Sequence, residues 1–228
     1  MGDIANNLTV INTAIAAAAI KSGRPPESIQ LIGVTKTVSP ERISQLVMAG
    51  VNCLGESRVQ EFLPKYDILR QPTVPTWHFV GHLQRNKVKY VIDKVAMIHS
   101  VDSMPLALEI DKRAQNIGKV MDILVEVNIA GEDSKHGVNP SQAPALVAEL
   151  PEFKNICVKG LMCIAPFVDN AEDNRVYFKE MRKLLIDINA NQVHNHNLVE
   201  LSMGMSGDYT VAIEEGATMV RIGTALVG

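Results

Sequence analysis

The sequence predicts an α/β protein, a (β/α)8 TIM-type barrel with one extra helix in front, as a single domain over residues 1–228. Three observations predict it. Near-continuous apolar runs alternate with amphipathic stretches eight times, the pattern of parallel strands covered by helices. Seven of the eight runs lead into a clear helical pattern, and eight parallel strands most simply close into a barrel, an open doubly wound sheet being the other solution. No linker or low-complexity tract divides the 228 residues, a length that one such barrel fills.

The elements follow in order. Ile4, Leu8, Ile11 and Ile15 recur at helical spacing, so the chain opens on an amphipathic helix that "KSGRPP" ends. "IQLIGVT" is the first buried strand. Pro40 at a first helical position, the face Ile43, Leu46 and Val47, and the stop at Gly50 make the helix that covers it. The unit then repeats. "VNCL" leads to "ESRVQEFL", with a kink expected at Pro64; "WHFVG" leads to "QRNKVKYVI"; "VAMIHSV" to "MPLALEIDKRAQN"; "MDILVEVNI" to "PSQAPALVAEL". "NICVKGLMCIA" precedes a long helix with Tyr177, Met181, Leu184, Leu185 and Ile188 facing one way. "NLVELS" precedes "GDYTVAIEEG", and "TMVRIGTALVG" supplies the eighth strand.

Composition narrows the function classes. Lysine and arginine total 22 against 25 acidic residues, a formal charge of -3, without the broad positive field that nucleic acid requires. Cys53, Cys157 and Cys163 are odd in number and have no CxxC spacing, so neither a disulfide framework nor a zinc ribbon is implied and a reducing compartment is favoured. Cys53 and Cys163, in apolar strands, read as core filler. "MGDIANNLTV" carries no basic flank and "AIAAAAI" is too short to span a membrane, so a soluble cytoplasmic chain is expected. A closed sheet has no free edge, and a monomer is the matching expectation.

In a barrel of this kind the chemistry comes from the C-terminal ends of the strands, and phosphate is often held after strands seven and eight. Strand seven runs into "LSMGMSGDYT", where Ser206 and Gly207 offer a hydroxyl and backbone N–H groups at a helix start. Strand eight runs into "RIGTALVG", where Arg221 brings charge and Gly223 and Thr224 admit close backbone approach. Taken singly, Ser206 is an ordinary N-cap and Gly223 an ordinary turn glycine. Their coincidence at both predicted strand ends points to an anion. Lys36, at the end of the first apolar strand, would by itself be one more solvent-facing lysine. On the face that holds an anion, a desolvated amine near a cation becomes a nucleophile towards aldehydes. Phosphate plus a Schiff-base lysine suggests pyridoxal 5'-phosphate (PLP).

At these residues the sequence resembles a known family. "GVTKTVSPERI", "LGESRVQEF", "WHFVGHLQRNK", "HSVDS", "VNIAGEDSKHGV", "GLMCIAP" and "LSMGMSGDYTVAIEEGATMVRIGTALVG" together resemble the pyridoxal phosphate homeostasis proteins, single-domain relatives of the alanine racemase barrel (PLP fold type III). The likeness covers nearly the whole chain in order. It implies that Lys36 holds PLP as an internal aldimine, that Ser206, Gly207, Arg221, Gly223 and Thr224 surround the phosphate, that Met203 lies against the ring and that Asn52 sits near the ring substituents. Ser57 departs from the pattern, which has asparagine there, while Glu56 and Arg58 fit it without a role that can be derived.

The related racemases and decarboxylases add a second β-rich domain to close the site, whereas here the sequence reaches Gly228 directly after the eighth strand. An open site suits storage, delivery and protection of a reactive aldehyde, with PLP-dependent apo-enzymes as partners and an indirect effect on amino-acid and keto-acid balance. No catalytic residue is assigned on this reading. The alternatives are a low-activity amino-acid racemase, with Lys36 as base and Tyr209 or His78 as second acid, and a PLP-loaded regulatory partner protein. Other signals fail. "GMSGD" lacks the last glycine of a nucleophile elbow, no histidine follows it, and neither GxGxxG nor GxxxxGK[ST] occurs. His78 and His82 span a strand end without the glutamate of a helical zinc pair, and "HNHN" with His194 and His196 reads as a solvated turn.

Overall fold

The structure is a computed structural model, and it describes residues 3–69, 75–191 and 198–228. His194 and His196 lie outside the described residues. Helix α1 (Ile4–Lys21) comes first, followed by β1 (Gln30–Val34), α2 (Pro40–Met48), β2 (Cys53–Glu56), α3 (Val59–Ile68), β3 (Thr76–Phe79), α4 (Val88–Val91), β4 (Met97–Val101) and α5 (Met104–Asn116). The second half adds β5 (Met121–Val127), α6 (Ala143–Glu149), β6 (Ile156–Cys163), α7 (Arg175–Ala190), β7 (Glu200–Ser202), α8 (Tyr209–Glu214), β8 (Met219–Ile222) and α9 (Thr224–Val227). The eight strands pair in sequence order, all parallel, and β1 pairs with β8 to close the barrel. The expected fold class is what the chain adopts.

Local chemistry sets the elements. The Asp3 carboxylate accepts the Ala5 N–H and caps α1, and Ser39 with Pro40 starts α2 in the same manner. Helix α3 runs through Pro64 from Val59 to Ile68. The helix after β3 is shorter than its pattern suggests, a 3₁₀ turn at Arg85–Lys87 leading into one turn of α4. Gly160 is required by close approach, because a Cβ there would stand 1.8 Å from the Glu200 carbonyl oxygen on neighbouring β7.

Alternation along the strands splits the core in two. Outward residues such as Leu54, Trp77, Phe79, Ile98, Ile123, Val125, Leu161, Val220 and Ile222 pack under the helices. Inward residues Ile32, Cys53, Met97, Leu124, Met162 and Met219 form a separate apolar layer inside the barrel. One step further toward the C-terminal ends the interior turns polar, with His78, His99, Glu126, Ser202 and Arg221 all buried. Cys53 and Cys163 are free, buried thiols, each pushed up to about 12 by burial. Helix α1 packs against α8 and α9 beside the barrel, tied by Asn7 to the Leu226 carbonyl (3.2 Å) and by Lys21 to Glu214 (2.7 Å). Among the described residues no helix is long and apolar enough to cross a membrane.

Candidate functional site

The C-terminal ends of the strands gather Lys36 after β1, Ser57 after β2, His82 after β3, Asp102 after β4 and the loops that follow β7 and β8. The lysine side is tightly built. Thr37, directly after Lys36, has φ 62°, a left-handed conformation costing a β-branched residue about 1–3 kcal/mol. Helix α3 and the end of β2 hold it there. Glu61 Oε2 accepts the Thr37 N–H at 2.9 Å, and this bond, with Arg58 and Lys65 nearby, keeps the Glu61 carboxyl below its ordinary range against slight desolvation. Lys65 Nζ donates to the Thr35 carbonyl at 2.7 Å and to Glu56 Oε1 at 2.5 Å, and the Thr35 hydroxyl donates to the same oxygen at 2.8 Å. Glu56 is wholly buried and Lys65 is buried beside it. Both peptides flanking Lys36 are therefore tied down while Lys36 itself stays exposed. The desolvated amine that the sequence suggests is not what the fold presents; the amine is placed through its backbone instead.

The anion loops come together as expected in part. Ser206 Oγ accepts the N–H groups of Gly223 (3.2 Å) and Ala225 (3.3 Å), which joins the loop after β7 to the loop after β8. The Ser206 proton has no acceptor among the described residues, and the position of a Cβ on Gly207 is open space. Thr224 begins α9 beside them. Ser206 is not the cap of α8. Asp208 takes that place, and its carboxylate shapes the loop by accepting from Met205 N–H (2.6 Å) and Asn174 Nδ2 (2.8 Å). Gly204 makes the bend at φ +90°, where a Cβ would also meet the Ala212 Cβ at 2.6 Å. Because α8 has six residues and α9 four, what an anion would find here is N–H groups and a hydroxyl rather than a long helix dipole.

Arg221 points elsewhere. Its guanidinium lies inside the barrel and donates to Ser202 Oγ (2.6 Å) and the Cys163 carbonyl (2.8 Å). Burial presses its pKa down while Cys163, Glu126 and Asp208 press it back up. A chain of contacts continues from it: Ser202 Oγ to His99 Nδ1 at 3.0 Å, and His99 Nε2 to His78 Nδ1 at 2.9 Å. Guanidinium has donors only, so Ser202 accepts from Arg221 and passes its proton to His99 Nδ1. That assigns the proton of His99 to Nε2, which donates to His78 Nδ1 and leaves the His78 proton on Nε2. Burial holds both rings neutral, His78 lowered to about 4 and His99 well below the ordinary histidine value. His78 is consequently engaged in the interior.

Two expectations are overturned. Asn52 precedes β2, and its carbonyl accepts the Thr76 N–H at the start of β3, so it sits at the opposite end of the barrel from Lys36. Parallel strands share one direction, and the four residues of β2 put roughly 13 Å between the two ends. Ser57, which follows β2, is the residue on the mouth side. Met203 is fully buried in the core between barrel and helices, so its side chain is not available to a ring in the mouth.

Sequence reasoning missed the Glu56–Lys65 pair, the His99–Ser202 relay and Glu126. A carboxyl in the middle of the apolar stretch "ILVEV" was the readable signal for Glu126, of the same kind that singled out Lys36. Around the mouth His82, Asp102 and His136 bring one ligand atom each within 4.8 Å of one another. The imidazoles of His82 and His136 stack at 3.8 Å with 12° between their planes.

Residues 14–228 match the family described as alanine racemase, N-terminal domain, and a barrel of that class is what the fold and mouth define. The chain is 47% identical over 214 residues to the pyridoxal phosphate homeostasis protein of Aquifex aeolicus (strain VF5), covering 94% of this chain and 92% of that one. It belongs to the pyridoxal phosphate homeostasis protein family. PipY of Synechococcus elongatus PCC7942, solved with PLP bound, is 33% identical with a TM-score of 0.85, covering 99% of this chain and 100% of that one. An alanine racemase from Clostridium difficile 630, 17% identical with a TM-score of 0.72 over 98% of this chain and 56% of that one, shares the fold alone.

Proposed function

We propose that this protein binds PLP at the barrel mouth, with Lys36 as the covalent attachment point, and serves intracellular PLP homeostasis as a carrier without turnover of its own. The observation that carries the reading is the meeting, at one end of the barrel, of an exposed amine on a clamped backbone and the Ser206 hydroxyl, whose oxygen the Gly223 and Ala225 N–H groups hold and whose proton is free beside Gly207. When bound, the cofactor supplies an aldehyde that condenses with a primary amine, losing one water, and a ring that withdraws electrons.

The chain's own groups divide the work. Lys36 provides the amine, and α3 fixes the direction from which it approaches. Ser206 donates its free proton to a phosphate oxygen, the N–H groups of Gly223 and Ala225 hold the Ser206 oxygen in place for it, Gly207 leaves room for that group, and Thr224 lines the other side. Arg221 contributes positive potential from inside the barrel rather than a contact in the cradle. An exposed lysine favours hand-over of the cofactor to PLP-dependent apo-enzymes, and Phe167, 96% exposed in the loop after β6, offers such a partner an apolar foothold beside the mouth. We read the protein as a cytoplasmic monomer. The racemase alternative asks for a second acid facing the ring; His78 is committed to His99, and Tyr209 is half-buried at the start of α8.

Borohydride trapping followed by peptide mass analysis tests the attachment. The adduct is expected on Lys36 and lost in a folded Lys36→Ala variant; an adduct persisting on another lysine overturns it. Ser206→Ala is expected to weaken PLP binding about ten-fold, one charge-assisted hydrogen bond, and to leave pyridoxal binding nearly unchanged. Equal losses for both ligands would remove the phosphate cradle.

A further inference from the structure

In a barrel whose strands pair in sequence order, β5 stands diametrically opposite β1, four strands away in either direction. Glu126 is on the inward face of β5, because its neighbours Val125 and Val127 belong to the outer core while Leu124, two residues back, belongs to the interior layer. It lies one step closer to the mouth than Leu124. The residue is 5% exposed and its Oε2 is buried without a hydrogen-bond partner among the described residues. An orphaned carboxyl oxygen costs about 1–3 kcal/mol or more, so a donor brought by a ligand is the simplest account of its persistence.

The surroundings say what kind of donor. Asp102, at the end of β4, is close enough to add to the effect of burial in raising the Glu126 carboxyl to about 7, with Arg221 opposing. Among the described residues neither carboxyl forms an ion pair with a lysine or arginine; Asp102 has only His82 Nδ1 at 3.8 Å and the Ser103 hydroxyl at 3.0 Å. Arg221, the cation that shares the interior with Glu126, gives its N–H groups to Ser202 and the Cys163 carbonyl. Two carboxyls that no lysine or arginine among the described residues pairs with, one of them with an unfilled acceptor, complement a ligand that is both positive and rich in N–H donors. A primary ammonium has both properties, with three donors on one charge.

We infer that Glu126 and Asp102 form a subsite for a second primary amine, a free amino acid or a lysine side chain, which enters opposite Lys36 and takes the cofactor from it by amine exchange. The inference deepens and rests on the attachment at Lys36 proposed above. The exchange balances without redox change. The incoming ammonium would give one proton to the Glu126 carboxylate and attack as the free amine; as its nitrogen bonds to the carbon that Lys36 held, its second proton would pass to the Lys36 nitrogen, which leaves as an amine, and Glu126 would return the first proton to make it the ammonium, the imine keeping its protonation state throughout. A carboxyl that titrates near neutrality can both accept and return that proton, whereas one fixed in either state can do only half. Release would then answer to the amine that arrives, not only to spontaneous hydrolysis.

The experiment loads the full chain with PLP and follows loss of the borohydride-trappable adduct at Lys36 as Nα-acetyllysine or glycine is added at pH 7. The wild type is expected to show an exchange rate that saturates with amine concentration. Glu126→Gln, which keeps the shape, is expected to lower the ratio of the exchange rate to the uptake rate about ten-fold or more, and Asp102→Asn to lower it less. A linear, unsaturable dependence, or the same ratio in Glu126→Gln, overturns the subsite while leaving attachment intact. No adduct at Lys36 in the wild type overturns the functional reading, and the subsite with it. A readout independent of loading is the carboxyl carbon NMR titration of Glu126 in the cofactor-free protein. It faces Asp102 from the end of β4, Cys163 from β6 and Arg221 from β8, and its midpoint is expected near 7; an ordinary carboxylate midpoint overturns the proton-transfer role.

Discussion

The two sides of the barrel mouth are finished differently. Around Lys36, Thr35, Glu56, Glu61 and Lys65 close on one another, and a residue at φ 62° is held against its own preference. Across the barrel, Glu126 Oε2 on β5 is buried with no partner among the described residues. Completed networks rigidify, and unfilled ones are costly unless something else fills them. The comparison teaches that one wall is made to hold a single geometry and the other is left receptive. Strain and satisfaction are concentrated on the side that must present an amine in one place.

Breaking the lysine side should have the largest effect. Lys65→Met leaves the Glu56 charge buried with only the Thr35 hydroxyl and its neighbouring amide as partners, and is expected to cost about 3–5 kcal/mol in urea denaturation. Replacing both partners, Lys65→Met with Glu56→Leu, should recover much of that loss; a double variant as unstable as the single one would deny that the pair acts as a unit. Because the clamp and not burial places Lys36, the single variant should also spread the borohydride adduct over other lysines.

The opposite side should respond in the other direction. The Glu126 carboxyl is raised in the folded state from 4.5 to about 7, so the folded chain binds the extra proton and loses stability as pH climbs from 4.5 through 7. Glu126→Gln is therefore expected to raise stability by up to about 3 kcal/mol at pH 8 and by little at pH 4. A pH-independent gain would remove the burial argument. His78 supplies the complementary arm. Its folded value of about 4 lies below the ordinary 6.5, so the unfolded chain takes the proton first and stability is lost as pH falls from 6.5 to 4, by up to about 3 kcal/mol. In His78→Gln that segment of the pH profile should flatten. The smallest effect belongs to Thr37→Gly, which relieves the left-handed strain and is expected to gain about 1 kcal/mol at the expense of a longer-lived spread of Lys36 positions, seen as slower adduct formation. A destabilised variant would show that Thr37 is not strained.

Much of this arrangement was legible in the chain. Eight alternations of apolar run and amphipathic stretch gave the barrel, and parallel direction alone then put Lys36, Ser206 and Gly223 at one end. Strand limits were less legible. The run "VNCL" begins two residues before β2 does, the place of Asn52 near a ring rested on the resemblance alone, and an apolar Met203 looks the same whether it lines a mouth or fills a core.

By itself, then, the sequence determined the order of strands and helices and the end of the barrel at which an amine and an anion cradle meet, because side-chain period and chain direction are local properties. Only the tertiary structure decided which groups complete one another. Lys65 reaches Thr35 across 30 residues, His99 reaches Ser202 across 103, and Arg221 turns from the cradle to the interior because its place on β8 shares a face with Met219. Such partners are set by closure of the sheet, which brings together side chains that no local pattern relates, and the same closure leaves Glu126 buried opposite Lys36 with an oxygen still to fill.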